Sequence, residues 1–173
     1  MEIAILHGNS LRIKGKQAAC VVDPTSQMPK TSADFTISLK KTSLLEDSKI
    51  DGNRLSITGP GGYEVGGIKV SATLLGEDIV YELTIEGVDV LLANSEGLKK
   101  AKEKIKESSI IVVFVDTLVD EASVTASTPS IVILYGEKVL ESAKVLGQEA
   151  EKTSKFSITN EKLPEEMKVV ILQ

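Results

Sequence analysis

Along the first third of the chain, apolar and polar residues alternate in short bursts: EIAIL at 2–6, SLRIK at 10–14, QAACVVD at 17–23 and DFTISL at 34–39. Alternation with a period of two predicts half-buried strands, and HGN, KGK and DPTSQMPKTS supply turn chemistry between them. The same rhythm continues through DGNRLSIT at 51–58, GIKVSATLL at 67–75 and DIVYELTIEG at 78–87. The pattern then changes. VDVLLAN at 88–94 leads into GLKKAKEKIKESS, where Leu98, Ala101 and Ile105 recur at helical spacing and predict an amphipathic surface helix. SIIVVFVD at 109–116 and SIVILYG at 130–136 are unbroken apolar runs, as expected of strands covered on both faces. Between them TLVDEASVTASTP is rich in Ser, Thr and β-branched residues, which predicts a loop or at most a short helix. In EKVLESAKVLGQ, Val139, Leu140, Ala143 and Leu146 mark one helical face and Gly147 a stop. KFSIT and KVVILQ read as two last strands. A meander followed by strand-helix-strand units, with no repeat or linker, predicts one α+β domain over residues 1–173 with helices outside the sheets.

Composition sharpens this picture. Aromatic residues make up 3% of the 173 and Trp is absent, so Val, Ile, Leu and Ala must fill the core. A net charge of −5 argues against a nucleic-acid partner, because phosphate binding needs clustered cations. The one basic concentration, Lys99, Lys100, Lys102, Lys104 and Lys106, is interleaved with Glu103 and Glu107 and reads as the solvated face of the predicted helix. Cys20 lies in an apolar run and reads as a small core residue. No apolar run approaches the ~18 residues that span a bilayer, and the expectation is a cytoplasmic protein.

The stretch ITGPGGYEVGGIKVSA at 57–72 is the most distinctive phrase of the chain. It is not a phosphate cradle, since the segment after the glycines has strand character and offers no helix N-terminus to an anion. The whole phrase instead closely resembles the G-P-G-E-Y-E-x-G-G-[IV] signature found in a branch of the metallo-β-lactamase fold superfamily, zinc-dependent hydrolases similar to ascorbate-6-phosphate lactonase. VVDP at 21–24, SADFTISL at 32–39, YELTIEGVDVLLANSEG at 81–97 and TPSIVILYG at 128–136 resemble further strands of that branch in the same order. The resemblance implies an αββα sandwich, two mostly antiparallel or mixed sheets face to face with outer helices. Its metal-binding loops would lie at one edge, carrying H-x-H-x-D-H and two later histidines with a bridging aspartate.

This chain has a single histidine, His7, which reads as a surface or structural residue. Carried over residue by residue, the three motif histidines fall on Lys40, Thr42 and Leu45 and the motif aspartate on Leu44; the bridging aspartate falls near Ser95 and the last histidine near Gly136. None is a good zinc ligand, so no metal and no other cofactor is expected. Only ten residues separate Pro24 from Asp34, so the domain also looks trimmed, which would expose apolar sheet surface and favour a protein partner or self-association as a homo-oligomer. The resulting reading is a catalytically inactive binding or assembly module, with Lys40, Thr42, Tyr63, Glu64, Ser95 and Gly136 as the candidate vestigial edge. Two alternatives stand beside it: a hydrolase-like enzyme using polar groups such as Lys40, Lys41, Thr42, Tyr63, Glu64 and Ser95 without a metal, and a structural protein with no ligand, in which the glycine corner only turns the chain.

Overall fold

A computed structural model describes residues 1–147 and 149–173. The chain begins as an antiparallel meander of β1 (Glu2–His7), β2 (Ser10–Lys14) and β3 (Ala19–Val22), then adds β5 (Phe35–Ile37) and β7 (Leu55–Ile57) in parallel. The short β4 (Thr31–Ser32) and β6 (Ile50–Asp51) pair with each other in the connections between these strands. A second antiparallel run follows, β8 (Gly61–Val65), β9 (Ile68–Leu75), β10 (Asp78–Ile85) and β11 (Val88–Asn94). It passes through α1 (Ser95–Ala101), β12 (Ile110–Val115), α2 (Glu121–Thr125), β13 (Ile131–Gly136) and α3 (Val139–Val145). The last strands are β14 (Glu151–Thr153), β15 (Lys155–Ser157) and β16 (Lys168–Leu172).

These strands form a six-stranded sheet of order β15-β1-β2-β3-β5-β7 and an eight-stranded sheet of order β14-β16-β13-β12-β11-β10-β9-β8. Each sheet is antiparallel in one part and parallel in the other, because each begins with hairpins and ends with crossovers. The inner faces meet in one core that includes Ile3, Ile13, Phe35, Ile79, Leu92, Val112 and Tyr135. The outer face of the eight-stranded sheet is buried under the helices, with Leu91, Val113 and Leu134 packed against Leu98, Val124 and Ala143. That double burial is why β12 and β13 are unbroken apolar runs.

The sandwich is therefore the expected α+β architecture, with one layer reduced. Over the six-stranded sheet the crossovers from β3 to β5 and from β5 to β7 contain no α-helix among the described residues. Met28, Ala33 and Ile50 from those connections bury Ala19 and Val21 instead, with Leu6 alongside. Non-helical chain thus covers the apolar surface expected to be bare there.

Two other elements differ from the pattern. The Lys-rich helix ends at Ala101, although Ile105 still packs against the helical layer. Beyond Ala101 only that one apolar anchor remains, while Lys102, Lys104 and Lys106 crowd like charges along the chain, so little favours another helical turn. In α3, Val139, Ala143 and Leu146 are buried as expected, but Leu140 lies off that face and is 48% exposed.

The glycine corner is a sheet-to-sheet passage. β7 belongs to one sheet and β8 to the other, and Gly59-Pro60 carries the chain across. Gly61–Val65 is itself an edge strand, which its Gly content had hidden. Gly66 and Gly67, at φ +56° and +80°, form the two-residue turn between the paired Val65 and Ile68. A Cβ on Gly66 would stand 2.5 Å from the Ala18 Cβ. Gly66→Ala is therefore expected to cost about 2 kcal/mol or more and to lower Tm by about 4–8 °C, whereas Gly62→Ala, with open space around its Cβ, leaves Tm within about 1–2 °C. Thermal unfolding by circular dichroism checks both.

Candidate functional site

The carboxyl ends of the parallel strands β11, β12 and β13 and the exits of β3 and β5 meet at one edge of the sandwich. There the two sheets are joined through backbone: Ile79 donates to the Leu39 carbonyl at 2.8 Å, Lys41 donates to the Glu77 carbonyl at 2.9 Å, and Lys40 forms an antiparallel bridge with Asp78. Between these strand ends lies a cleft of about 260 Å³ lined by Asn9, Asp23, Thr25, Leu39, Lys40, Leu44, Leu45, Asn94 and Phe114, among others. Lys40 lines this cleft, Ser95 directly follows β11, and Gly136 is the last residue of β13.

The positions on which the resemblance places metal ligands hold residues of other chemistry. The Lys40 ammonium lies 3.7 Å from an Asp116 carboxylate oxygen. The Ser95 hydroxyl donates to the Thr117 carbonyl at 2.9 Å and holds the exit of β12. Leu44 is 91% exposed, Leu45 lines the cleft and Thr42 is exposed in the loop. Gly136 has φ +113°, and a Cβ there would sit 2.8 Å from the Phe114 ring and 3.0 Å from the Val115 carbonyl. A histidine at that position would have to displace Phe114, whose ring packs 5.5 Å from that of Tyr135. The donor chemistry therefore does not fit a metal ion: an ammonium, a hydroxyl, aliphatic side chains and a closed glycine replace imidazoles and carboxylates. Among the described residues, no three His, Cys, Asp or Glu side chains are grouped so as to hold one. His7 is exposed, its Nε2 3.2 Å from the Gln27 amide oxygen.

Tyr63 and Glu64 belong elsewhere. The Tyr63 ring packs against the inter-sheet core and its hydroxyl reaches the Gly59 and Pro60 carbonyls at 3.4 Å, capping the corner locally. Glu64 stands opposite Lys69 in a larger groove of about 660 Å³ along β8–β11.

The residues that organise the edge were not singled out by pattern. Asp78 is buried and accepts from the Asn94 amide at 2.8 Å and from Lys100 Nζ at 2.7 Å. Burial opposes its ionisation, but the hydrogen bonds from Lys100 and Asn94 and the charges of Lys100 and Lys40 outweigh it and hold the carboxyl below its ordinary value. The Asn94 side chain also accepts from the Gly97 amide at 2.6 Å, so it caps α1 while orienting Asp78. The run N-S-E-G after an apolar strand carried that capping signal.

Asp23, followed by Pro24, had a plain turn reading, yet it is a second organiser. It adopts φ +43°, held by its own amide on the Ile37 carbonyl and by the Ser10 hydroxyl on its carbonyl, and its carboxylate accepts from the Leu39 amide at 3.0 Å. Burial pushes its pKa up to about 6, against the Leu39 and Ser38 hydrogen bonds and the Lys40 charge. A raised carboxyl pKa means that the folded state holds a proton the unfolded chain has released, so this group lowers stability as pH rises from about 4 to about 6 and the loss persists above that. Asp23→Asn keeps an acceptor for Leu39 and tolerates a left-handed backbone. The variant is expected to be more stable than the parent by about 2 kcal/mol above pH 6 and to lose that pH dependence, which urea unfolding at several pH values measures.

No family model and no curated protein sequence matches the chain. Solved structures do. A protein from Thermotoga maritima described as a zinc-dependent hydrolase of the metallo-β-lactamase superfamily aligns over 99% of this chain and 98% of its own, with a TM-score of 0.79 and 20% identity. One from Parabacteroides distasonis, described as a metal-dependent hydrolase, covers 99% and 93% with a TM-score of 0.62 and 16% identity. The CmlA β-hydroxylase E377D mutant is similar over 99% of this chain and 52% of its own, with a TM-score of 0.63 and 10% identity. The chain thus has the metallo-β-lactamase fold, with other residues standing where the resemblance places that fold's metal ligands.

Proposed function

We propose that the protein is a metal-free binding or assembly module, whose edge cleft takes a ligand or a partner where hydrolases of the same fold run metal-dependent chemistry. The observation that supports this reading is Gly136, near which the resemblance places the last motif histidine: a Cβ there would meet the Phe114 ring at 2.8 Å, which leaves no room for a ligand side chain. The cleft itself persists, with a polar floor of Asp23, Thr25 and Asn94 beside apolar Leu39, Leu45 and Phe114. Exposed Leu44 and Leu118, from the loops after β5 and β12, offer apolar contact near that edge for a partner protein or a second copy. No helix among the described residues is long and apolar enough to cross a membrane.

One observation favours an alternative. A carboxyl titrating near neutrality in a cleft beside a lysine is a common feature of acid-base sites, so Asp23 with Lys40 supports a hydrolase-like enzyme that needs no metal.

The test is metal content by mass spectrometry after incubation with zinc and manganese, coupled to ester, lactone and phosphodiester hydrolysis assays and to NMR screening of small molecules. The expected result is far less than one ion per chain, hydrolysis at the buffer rate, and ligand-induced shifts gathered on Leu39, Leu45 and Phe114. Retained stoichiometric zinc with zinc-dependent turnover contradicts the proposal. Metal-independent turnover lost in Asp23→Asn selects the alternative.

A further inference from the structure

The cleft edge collects acidic groups from three directions: Asp23 after β3, Asp78 at the start of β10 and Asp116 after β12. Asp78 has its own partner in Lys100, which also reaches Glu96 one turn away in α1. Asp116 has only Lys40 within ion-pair distance among the described residues, and its other oxygen, Oδ1, is buried without a hydrogen-bond partner. Lys41 and Glu77, which join the two sheets through backbone, turn exposed side chains to solvent.

We propose that the Lys40 ammonium is the resident cation of this edge, taking over the charge-neutralising and loop-joining role for which the fold otherwise uses a metal ion. The inference rests on the metal-free reading above and adds what replaced the metal. Its backbone position is fixed by the bridge to Asp78, so the side chain starts from a defined point on the rim. From there it pairs with Asp116, and its charge also favours the ionised forms of Asp23 and Asp78. One covalently held cation thus ties the loop after β5 to the loop after β12. Coordination bonds are replaced by a single ion pair of modest strength, which requires no metal supply and leaves no open position for a bound water.

An ammonium that acts through charge makes predictions that a packing role does not. Lys40→Met, neutral and of similar length, is expected to lower Tm by about 2–4 °C near pH 8, since a half-exposed pair carries on the order of 1 kcal/mol. The loss shrinks towards zero in about 1 M salt, because a half-exposed ion pair is screened there. Lys40→Arg retains the parent Tm, and Asp116→Asn in the Lys40→Met background recovers most of the loss. A loss that is equal at low and high salt, or that Asp116→Asn fails to recover, overturns the proposal. If Lys40→Met does not fold, the double variant with Asp116→Asn must fold for the proposal to stand. Zinc uptake by the parent protein would contradict the metal-free reading while leaving this charge coupling measurable, so the two failures are distinguishable.

Discussion

The cleft depends on the short antiparallel contact in which Leu39–Lys41 docks on Glu77–Ile79. The sheets otherwise share an apolar core, which is strong but gives little directional control over the loops at its rim. Backbone hydrogen bonds across that rim fix where β5 ends relative to β10. Tyr81 reinforces the contact from below, its buried hydroxyl donating to the Ser38 carbonyl at 2.6 Å. Asp23 reinforces it from the side through the Leu39 amide. Because the join is made by main chain, side chains at Lys40, Leu44 and Leu45 could change in kind while the sandwich kept its shape.

That freedom explains how the fold can hold residues so unlike metal ligands. A catalytic metal needs several convergent donors at once, so losing some of them leaves buried polar groups without partners. Here most residues at those places have partners, although Asp116 Oδ1 is buried without one. Lys40 supplies positive charge beside Asp116, the Ser95 hydroxyl satisfies a loop carbonyl, and Phe114 fills the space over Gly136. The outer layer over the six-stranded sheet follows the same logic, with Met28 from a turn and Ile50 from β6 covering Val21. Economy at both places leaves the inner faces of the two sheets packed on a shared apolar core.

Most strands were legible because their alternation is set by burial on one face, and β12 and β13 because burial on both faces leaves unbroken apolar runs. β8 was not legible: three of its five residues, Tyr63, Glu64 and Val65, are ordinary strand residues, but the glycines before and after them read as a turn. The end of α1 depended on tertiary anchoring at Ala101, which a periodicity that continues to Ile105 cannot report. Within the site, Lys40, Ser95 and Gly136 were singled out by an ordered resemblance. Their partners did not, because Asp78, Asp116 and Phe114 lie far along the chain from Lys40 and Gly136 and meet them only once the sheets pack. Tyr63 and Glu64 were drawn into the candidate edge by their distinctive phrase, whereas the hairpin points one inward and the other into a separate groove.

The central claim is that this edge is held by an ammonium and not by a metal. It is tested most directly by an X-ray structure from crystals grown with excess zinc, with anomalous data collected across the zinc absorption edge. The expected map shows Lys40 beside Asp116, Phe114 over Gly136 and no anomalous peak in the cleft. A peak there coordinated by Asp23 or Asp116, with Lys40 displaced into solvent, would contradict it.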